Sequence, residues 1–378
     1  MQKKIIALAI AGLASTAAFA QTNVQIYGIL DASAYAVDAN GNNQANYGFS
    51  SSANTTSRLG FKGVEDLGNG LKANFNLETE IAMHSGVIGS TSSGTSAGSF
   101  SRAANVGLES KLGTVTLGRQ ITPLYALVAG SDVLGSNSGG LINAWVGTNN
   151  TASSIQGALP VSGTIHAGVF NQTVPNTYYP GVGLATPVIG GFQVKAFTNA
   201  GTNRANTDFA DGGLRDIAVT YSGFGANVRA GYQEVLGNGY YAQGRGTSGR
   251  TTMKNTLLGA DYTIGAVKLA AAWVRTAFDN PLAVSDVDTF TAGGSYKLGK
   301  TTVGASYTDT RAISEGANNA SKQVSLRAGY DLSKRTSVYV QAIHVMNQGG
   351  ASLAGVYGGN NIGTENTTSL LGGLRHAF

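Results

Sequence analysis

Cysteine is absent from all 378 residues. That removes disulfides, thiolate metal sites and a thiol nucleophile, so stability has to come from elsewhere. Charge is scarce: Asp, Glu, Lys and Arg make up 12% of the chain, about half the usual ~25%. Proline occurs 6 times. Beyond the first twenty residues there is no long apolar run, which excludes a bundle of membrane-spanning helices. Setting aside Lys3 and Lys4, 25 basic less these two against 20 acidic residues leaves a net charge of +3. A nucleic-acid partner would need a concentrated basic face, so none is expected. Aromatic and β-branched residues are plentiful, which argues against disorder.

The first twenty residues read as an export signal. Lys3 and Lys4 form a positive start, Ile5 to Ala14 is almost unbroken apolar sequence too short to span a bilayer, and Ala18-Phe19-Ala20 suits a signal peptidase. Residues 1–20 are therefore expected to be a cleaved signal peptide. Residues 21–378 are expected to be one domain.

What is abundant is glycine, at 54 residues, together with two-residue alternation. In Leu71-Lys72-Ala73-Asn74-Phe75-Asn76-Leu77-Glu78-Thr79-Glu80-Ile81 the odd positions are apolar except Thr79, and the even positions are polar or charged. Successive side chains of a strand point to opposite faces, so this segment has one greasy and one wet face. Softer versions recur around Val228-Ala230-Tyr232, Val267-Leu269-Ala271-Trp273, Val324-Leu326-Ala328-Tyr330 and the final run Leu370-Gly372-Leu374-His376-Phe378. Seven short turns are expected at Glu65 to Gly70, Lys111 to Gly113, Thr186 to Gly191, Ser222 to Gly225, Ile264 to Ala266, Lys297 to Lys300 and Leu332 to Arg335. Eight long polar loops are expected around 38–51, 84–100, 121–165, 201–213, 237–254, 279–287, 312–321 and 347–365. Seven short and eight long connections separate sixteen strands, with both termini on the short-turn side. Such sorting is the pattern of an outer-membrane β-barrel, and sixteen strands leave an aqueous interior.

Four stretches carry a family resemblance. They are Val24-Gln25-Ile26-Tyr27-Gly28-Ile29-Leu30-Asp31-Ala32, the run Ser57-Arg58-Leu59-Gly60-Phe61-Lys62-Gly63-Val64-Glu65-Asp66-Leu67-Gly68-Asn69-Gly70-Leu71-Lys72-Ala73, then Val106-Gly107-Leu108 with Gly113-Thr114-Val115-Thr116-Leu117-Gly118-Arg119-Gln120, and the closing Gly373-Leu374-Arg375-His376-Ala377-Phe378. Through them the chain resembles the trimeric porins of Gram-negative bacteria, in their β-proteobacterial branch. The resemblance implies a homotrimer of sixteen-stranded barrels in the outer membrane that passes small hydrophilic solutes and ions. It also implies a third long loop, starting just after Gln120, that folds into the barrel. Arg58 and Arg119 then match the basic cluster at the family's constriction. Alternation supports Arg58, which shares parity with Gly60 and Lys62; Arg119 shares parity with Val115 and Leu117 instead. The family's inward loop carries several acids, whereas the only charged residue here between Gln120 and Val194 is Asp132, and Leu141-Ile142-Asn143-Ala144-Trp145-Val146 is nearly apolar. The terminal Phe378 matches the family's signal to the barrel-assembly machinery.

Parity places further charges on the inner face: Lys62, Lys72, Lys195, Arg229, Lys268 and Arg327, against Asp31, Glu78, Glu80 and Asp261. Lys62 and Lys72 are expected to join Arg58, Arg119 and Asp132 at the constriction, and the balance there suggests a modest preference for anions. Tyr221, Phe224, Tyr262, Tyr296 and Tyr330 suit aromatic girdles where the barrel meets lipid headgroups. Gly294-Ser295-Tyr296-Lys297-Leu298-Gly299-Lys300-Thr301 fits a nucleotide-binding pattern, but that loop works only before a helix, and an alternating strand follows. His84, His166, His344 and His376 have no metal-pair spacing. No nucleophile elbow precedes a helix, so no catalysis and no cofactor are expected. The alternatives are a substrate-specific channel with a saturable site, an adhesin with a plugged lumen, and a barrel-borne hydrolase.

Overall fold

A strand with one greasy and one wet face is stable in a membrane only if its backbone bonds are all paired, which requires a closed sheet. The computed structural model has that form. It describes residues 23–39, 46–89, 100–142, 144–145, 178–199, 213–236, 252–279, 286–313, 320–348 and 366–378. The expected signal peptide, His166, and parts of the expected long loops lie outside them. The strands are β1 (Asn23–Ala39), β2 (Asn46–Ser51), β3 (Arg58–Gly68), β4 (Leu71–Ala82), β5 (Val87–Ile88), β6 (Ala103–Ser110), β7 (Gly113–Ile121), β8 (Tyr178–Ala185), β9 (Phe192–Asn199), β10 (Leu214–Gly223), β11 (Ala226–Leu236), β12 (Thr252–Ile264), β13 (Val267–Asp279), β14 (Asp286–Leu298), β15 (Thr301–Ile313), β16 (Ala320–Asp331), β17 (Thr336–Gln348) and β18 (Thr367–Ala377). One helix, α1 (Pro123–Ser131), follows β7.

Seventeen of these make the sixteen strands of the wall. β2 and β3 are one wall strand in two pieces, because β1 pairs with β2 through Ala32–Val37 and with β3 through Asn23–Ile29. β5 adds only a two-residue pairing to the end of β4. Every other strand pairs antiparallel with the next, and β18 returns to β1 with Ile29 opposite Ala377. The closed sixteen-stranded barrel thus agrees with the strand count read from the turns. Residues 46–51 correct the first expected loop: they are strand. The interruption after them is held by Asp31, whose carboxylate accepts from the Thr55 amide at 2.8 Å and the Tyr339 hydroxyl at 2.7 Å.

The short connections are where positive φ is needed. Asn69, Phe224 and the glycines 70, 225, 265 and 299 all adopt it. After the nucleotide-like Gly294–Thr301 stretch comes β15, a strand, so the helix N-terminus that would cradle phosphate is replaced by a hairpin turn.

The wall is inverted relative to a water-soluble protein. Val106, Leu108, Val115, Leu117, Val182 and Leu184 are exposed on the outside, while the amides of Gln233, Gln323 and Gln341 are buried inside. No described helix is long and apolar enough to cross a membrane. The seam is completed by the last residue: Phe378 and Gly28 exchange both backbone hydrogen bonds at 3.1 Å, and the phenyl ring occupies the space a side chain at Gly28 would need.

Candidate functional site

The segment after β7 packs against β10–β13. Helix α1 starts with Pro123, and the side chain of its N-cap residue Thr122 does not cap the helix amides. The unpaired amide of Leu124 is met instead by Asp216 of β10, at 3.0 and 3.2 Å, with Gln233 of β11 also donating to that carboxylate. A buried helix end without such a partner would carry orphan N–H groups. Leu124, Leu127, Val128, Leu141 and Trp145 then form an apolar cluster with the inner-face residues Ala218, Leu257, Ala272 and Val274. Gly231 and Gly293 permit the approach: a side chain at either would strike Leu124 and Leu127, or Val133. Farther along, Arg327 donates to the Leu134 carbonyl at 3.1 Å, Ser136 to Gln341 at 2.7 Å, and Asn137 to the Ser52 carbonyl and the Thr56 hydroxyl at 3.1 Å each.

The wall around β1, β3, β4 and β6 carries a charged cluster centred on Glu78. Arg102 donates through Nε to Glu78 Oε1 and lies over the Tyr178 ring at 4.7 Å. Arg58 Nη1 stands 3.9 Å from the same oxygen, and the Tyr27 hydroxyl donates to the other at 2.8 Å. Lys62 Nζ lies 5.0 Å over the Tyr27 ring. Glu80 is the direct cross-strand partner of Arg58. Three cations and two carboxylates therefore share one region of the inner wall.

Several expected positions fall elsewhere. Lys72 pairs with Asp66 and Glu109 next to a short turn. Eight residues of β3 separate that level from Arg58, about 27 Å at ~3.4 Å per residue, so Lys72 is not beside the cluster. Arg119 keeps the parity of Val115 and Leu117, pairs with Ala104, and donates to the Ser101 carbonyl. The cation that joins Arg58 on Glu78 is Arg102. Strand parity misses Arg102 because it precedes β6; the repeated Ser-Arg pair, Ser57-Arg58 and Ser101-Arg102, is the signal that marks it. Asp31 faces inward but is fully buried under residues 52–57. Arg375, opposite Asp31, is a further inner-face cation. Arg229 is paired with Asp261, which also receives Asn227 and has Lys268 at 3.8 Å. Lys195 is exposed on the inner-face parity of Phe197.

Asp132 ends α1 and is buried in the segment after β7. Its Oδ1 accepts from the Leu134 amide at 2.9 Å, while Oδ2 has no hydrogen-bond partner among the described residues. Burial pushes its carboxyl up to about 6 from 3.8, only partly offset by the amides of Leu134 and Gly135 and the charge of Arg327. A folded value above the unfolded one means that protonation stabilises the segment fully below the unfolded pKa, and that this gain is lost as pH rises through about 6. The segment is expected to resist protease better near about pH 5 than near about pH 7.5. In Asp132→Asn the resistance should be flat across that window; a wild-type protein equally resistant at both would contradict the assignment.

A closed antiparallel wall, apolar outside and charged inside, defines a transmembrane β-barrel. The family model described as Gram-negative porin matches residues 7–350. Outer membrane porin protein 32 of Delftia acidovorans is 31% identical over 100% of both chains. Major outer membrane protein P.IB of Neisseria lactamica is 28% identical over 85% of this chain and 83% of its own. Among solved structures, an anion-selective porin from Comamonas acidovorans matches 95% of this chain and 100% of its own, with a TM-score of 0.74 and 25% identity. The chain belongs to the Gram-negative porin family, and it is an outer-membrane porin of the β-proteobacterial kind. The fold and family are those of channels, not of enzymes.

Proposed function

We propose that the protein is a homotrimeric general-diffusion porin with a modest preference for anions. The carrying observation is the cluster around Glu78: Arg58, Arg102 and Lys62 outnumber Glu78 and Glu80 by one positive charge. In this reading the segment 122–145 is the inward third loop. Its apolar side is spent on the β10–β13 wall, so small hydrophilic solutes and ions pass along the charged wall opposite. Charges fixed at a narrowing bias which ions enter. The anion selectivity named for the solved Comamonas relative supports the same direction. Outside that cluster Lys195, Lys268, Arg327 and Arg375 add positive charge to the inner face. Asp132, spent on its own loop, offers little counter-charge.

The experiment is a planar-bilayer recording. A steady, non-saturating conductance with a reversal potential favouring chloride across a KCl gradient is expected. Saturation by one sugar or anion would favour a substrate-specific channel instead, and cation preference would overturn the anion reading.

The chain is exported by its cleaved segment 1–20 and inserted among outer-membrane lipids by the barrel-assembly machinery. Phe378 serves as the insertion signal. Its ring also covers Gly28 at the seam, so one deletion read in two settings separates the roles. Deleting Phe378 should lower folded trimer both in cells and in detergent refolding if it only closes the seam. A loss confined to cells marks recognition by the machinery, and full yield in cells would remove Phe378 from assembly.

A further inference from the structure

The outer wall of β11–β14 has a groove of about 350 Å³ that the channel reading leaves unused. Its form follows from register. Leu258, Trp273 and Phe290 make one row across three strands, and the next outer-face row is Ala260, Ala271 and Ala292. The step from large side chains to alanines leaves a ledge, closed on the β11 side by Val228. One outer-face step in the other direction, about 7 Å along the strand, stand Arg275 and then Lys254. Arg275 is held there by Asp286 at 2.9 Å and Asp288 at 4.0 Å. The Trp273 side chain also engages Asp288.

These charges belong to a belt. At the loop end of the outer face, Arg215 and Glu234 pair at 3.6 Å on β10 and β11, and Arg311 pairs with Asp309 at 2.6 Å on β15, facing Lys322 on β16. Across β18, β1 and β2 the corresponding face presents Thr368, Leu370, Ala36, Ala34, Tyr47 and Phe49, apart from Asp38 at its edge. A second copy seated on the groove would have to strip water from the whole belt, a cost that attraction between the buried charges need not recover. A lipid seated there leaves the belt in the headgroup layer. The groove accepts methylene groups, and the cations stand where the headgroup of such a chain begins.

We propose that this groove holds one acyl chain of a phosphorylated membrane lipid, with its phosphate against Arg275 and Lys254. The chain has 2 tryptophans. Trp145 lies in the apolar cluster inside and Trp273 lines the groove, so Trp145→Phe leaves a reporter at the site. In maltoside micelles, dibrominated phosphatidylglycerol should quench Trp273 at a mole fraction about fivefold lower than dibrominated diacylglycerol, the advantage of a cation beside a headgroup phosphate. Ala271→Phe, which fills the ledge, should abolish the advantage, as should Lys254→Gln with Arg275→Gln; unchanged single-channel conductance certifies that these variants fold. Equal quenching by the two lipids in the parent protein overturns the proposal, as does an advantage that survives Ala271→Phe. Disulfide-linked copies formed by Ala271→Cys in native membranes would also overturn it, by seating a second copy there.

Discussion

Replacing Arg58 and Arg102 with glutamine together is expected to reverse the ion preference. The cluster holds Arg58, Lys62 and Arg102 against Glu78 and Glu80, so the substitution takes the local sum from plus one to minus one. A unit charge ~8 Å from a passing ion interacts with it by about 0.5 kcal/mol in water. Each lost cation both ceases to attract anions and ceases to exclude cations, so two of them change the permeability ratio by about 2 kcal/mol, or about 30-fold, before screening. At 0.1 M salt the ~10 Å Debye length reduces this to about fivefold. The reversal potential across a KCl gradient reads the change directly, and raising the salt should shrink it. Glutamine at 102 keeps a donor for Glu78, so the carboxylate is not left unpaired. Arg119→Ala is the control: its guanidinium serves the Ser101 carbonyl from the outer-face parity, and its reversal potential should match wild type. No shift in the double variant, or an equal shift in Arg119→Ala, would move the selecting charges away from Glu78.

The contrast between Arg102 and Arg119 shows what sequence can and cannot carry. Alternation is a local property, so it assigns a face to any residue within a regular strand. Lys62, Glu78 and Glu80 were legible in this way, as were the turns, whose glycines and Asn69 take the positive φ that the hairpins need. Depth is not local. Lys72 has the right parity but the wrong level, because register along β3 and β4 sets it beside Asp66. Arg102 lies before its strand begins, where no alternation applies, and reaches Glu78 through a backbone bend anchored by its own amide on the Glu78 carbonyl. The segment after β7 was the least legible part. Its apolar stretch Leu141 to Val146 could be seen, but its partners are scattered inner-face residues on three strands: Ala218 on β10, Leu257 on β12, and Ala272 and Val274 on β13. Each of them breaks the wet-face pattern and reads in isolation as weak alternation.

Those four residues make the second expected result. Leu127→Asp should turn a quiet channel into a noisy one that closes at lower voltage. Leu127 is 5% exposed, within a cluster that also buries Leu124, Val128 and Trp145. Truncating such a leucine costs about 2–5 kcal/mol; placing a carboxylate in this apolar cluster adds the cost of burying a charge. The wall itself does not depend on the cluster, because its ladders close without α1, so folded trimer should persist. The helix would lose its hold on β10–β13 and sample the open side of the lumen. Asp216→Ala attacks the same hold from the other end, leaving the Leu124 amide without its acceptor at a cost of about 1–3 kcal/mol, and should give a milder version of the same noise. Leu127→Met conserves volume and should remain quiet. The measurement is single-channel current variance and closing voltage in the three variants. If Leu127→Asp channels are as steady as wild type, the polar bonds from Arg327, Gln341 and Thr56 hold the segment by themselves, and the apolar cluster is filling rather than anchor.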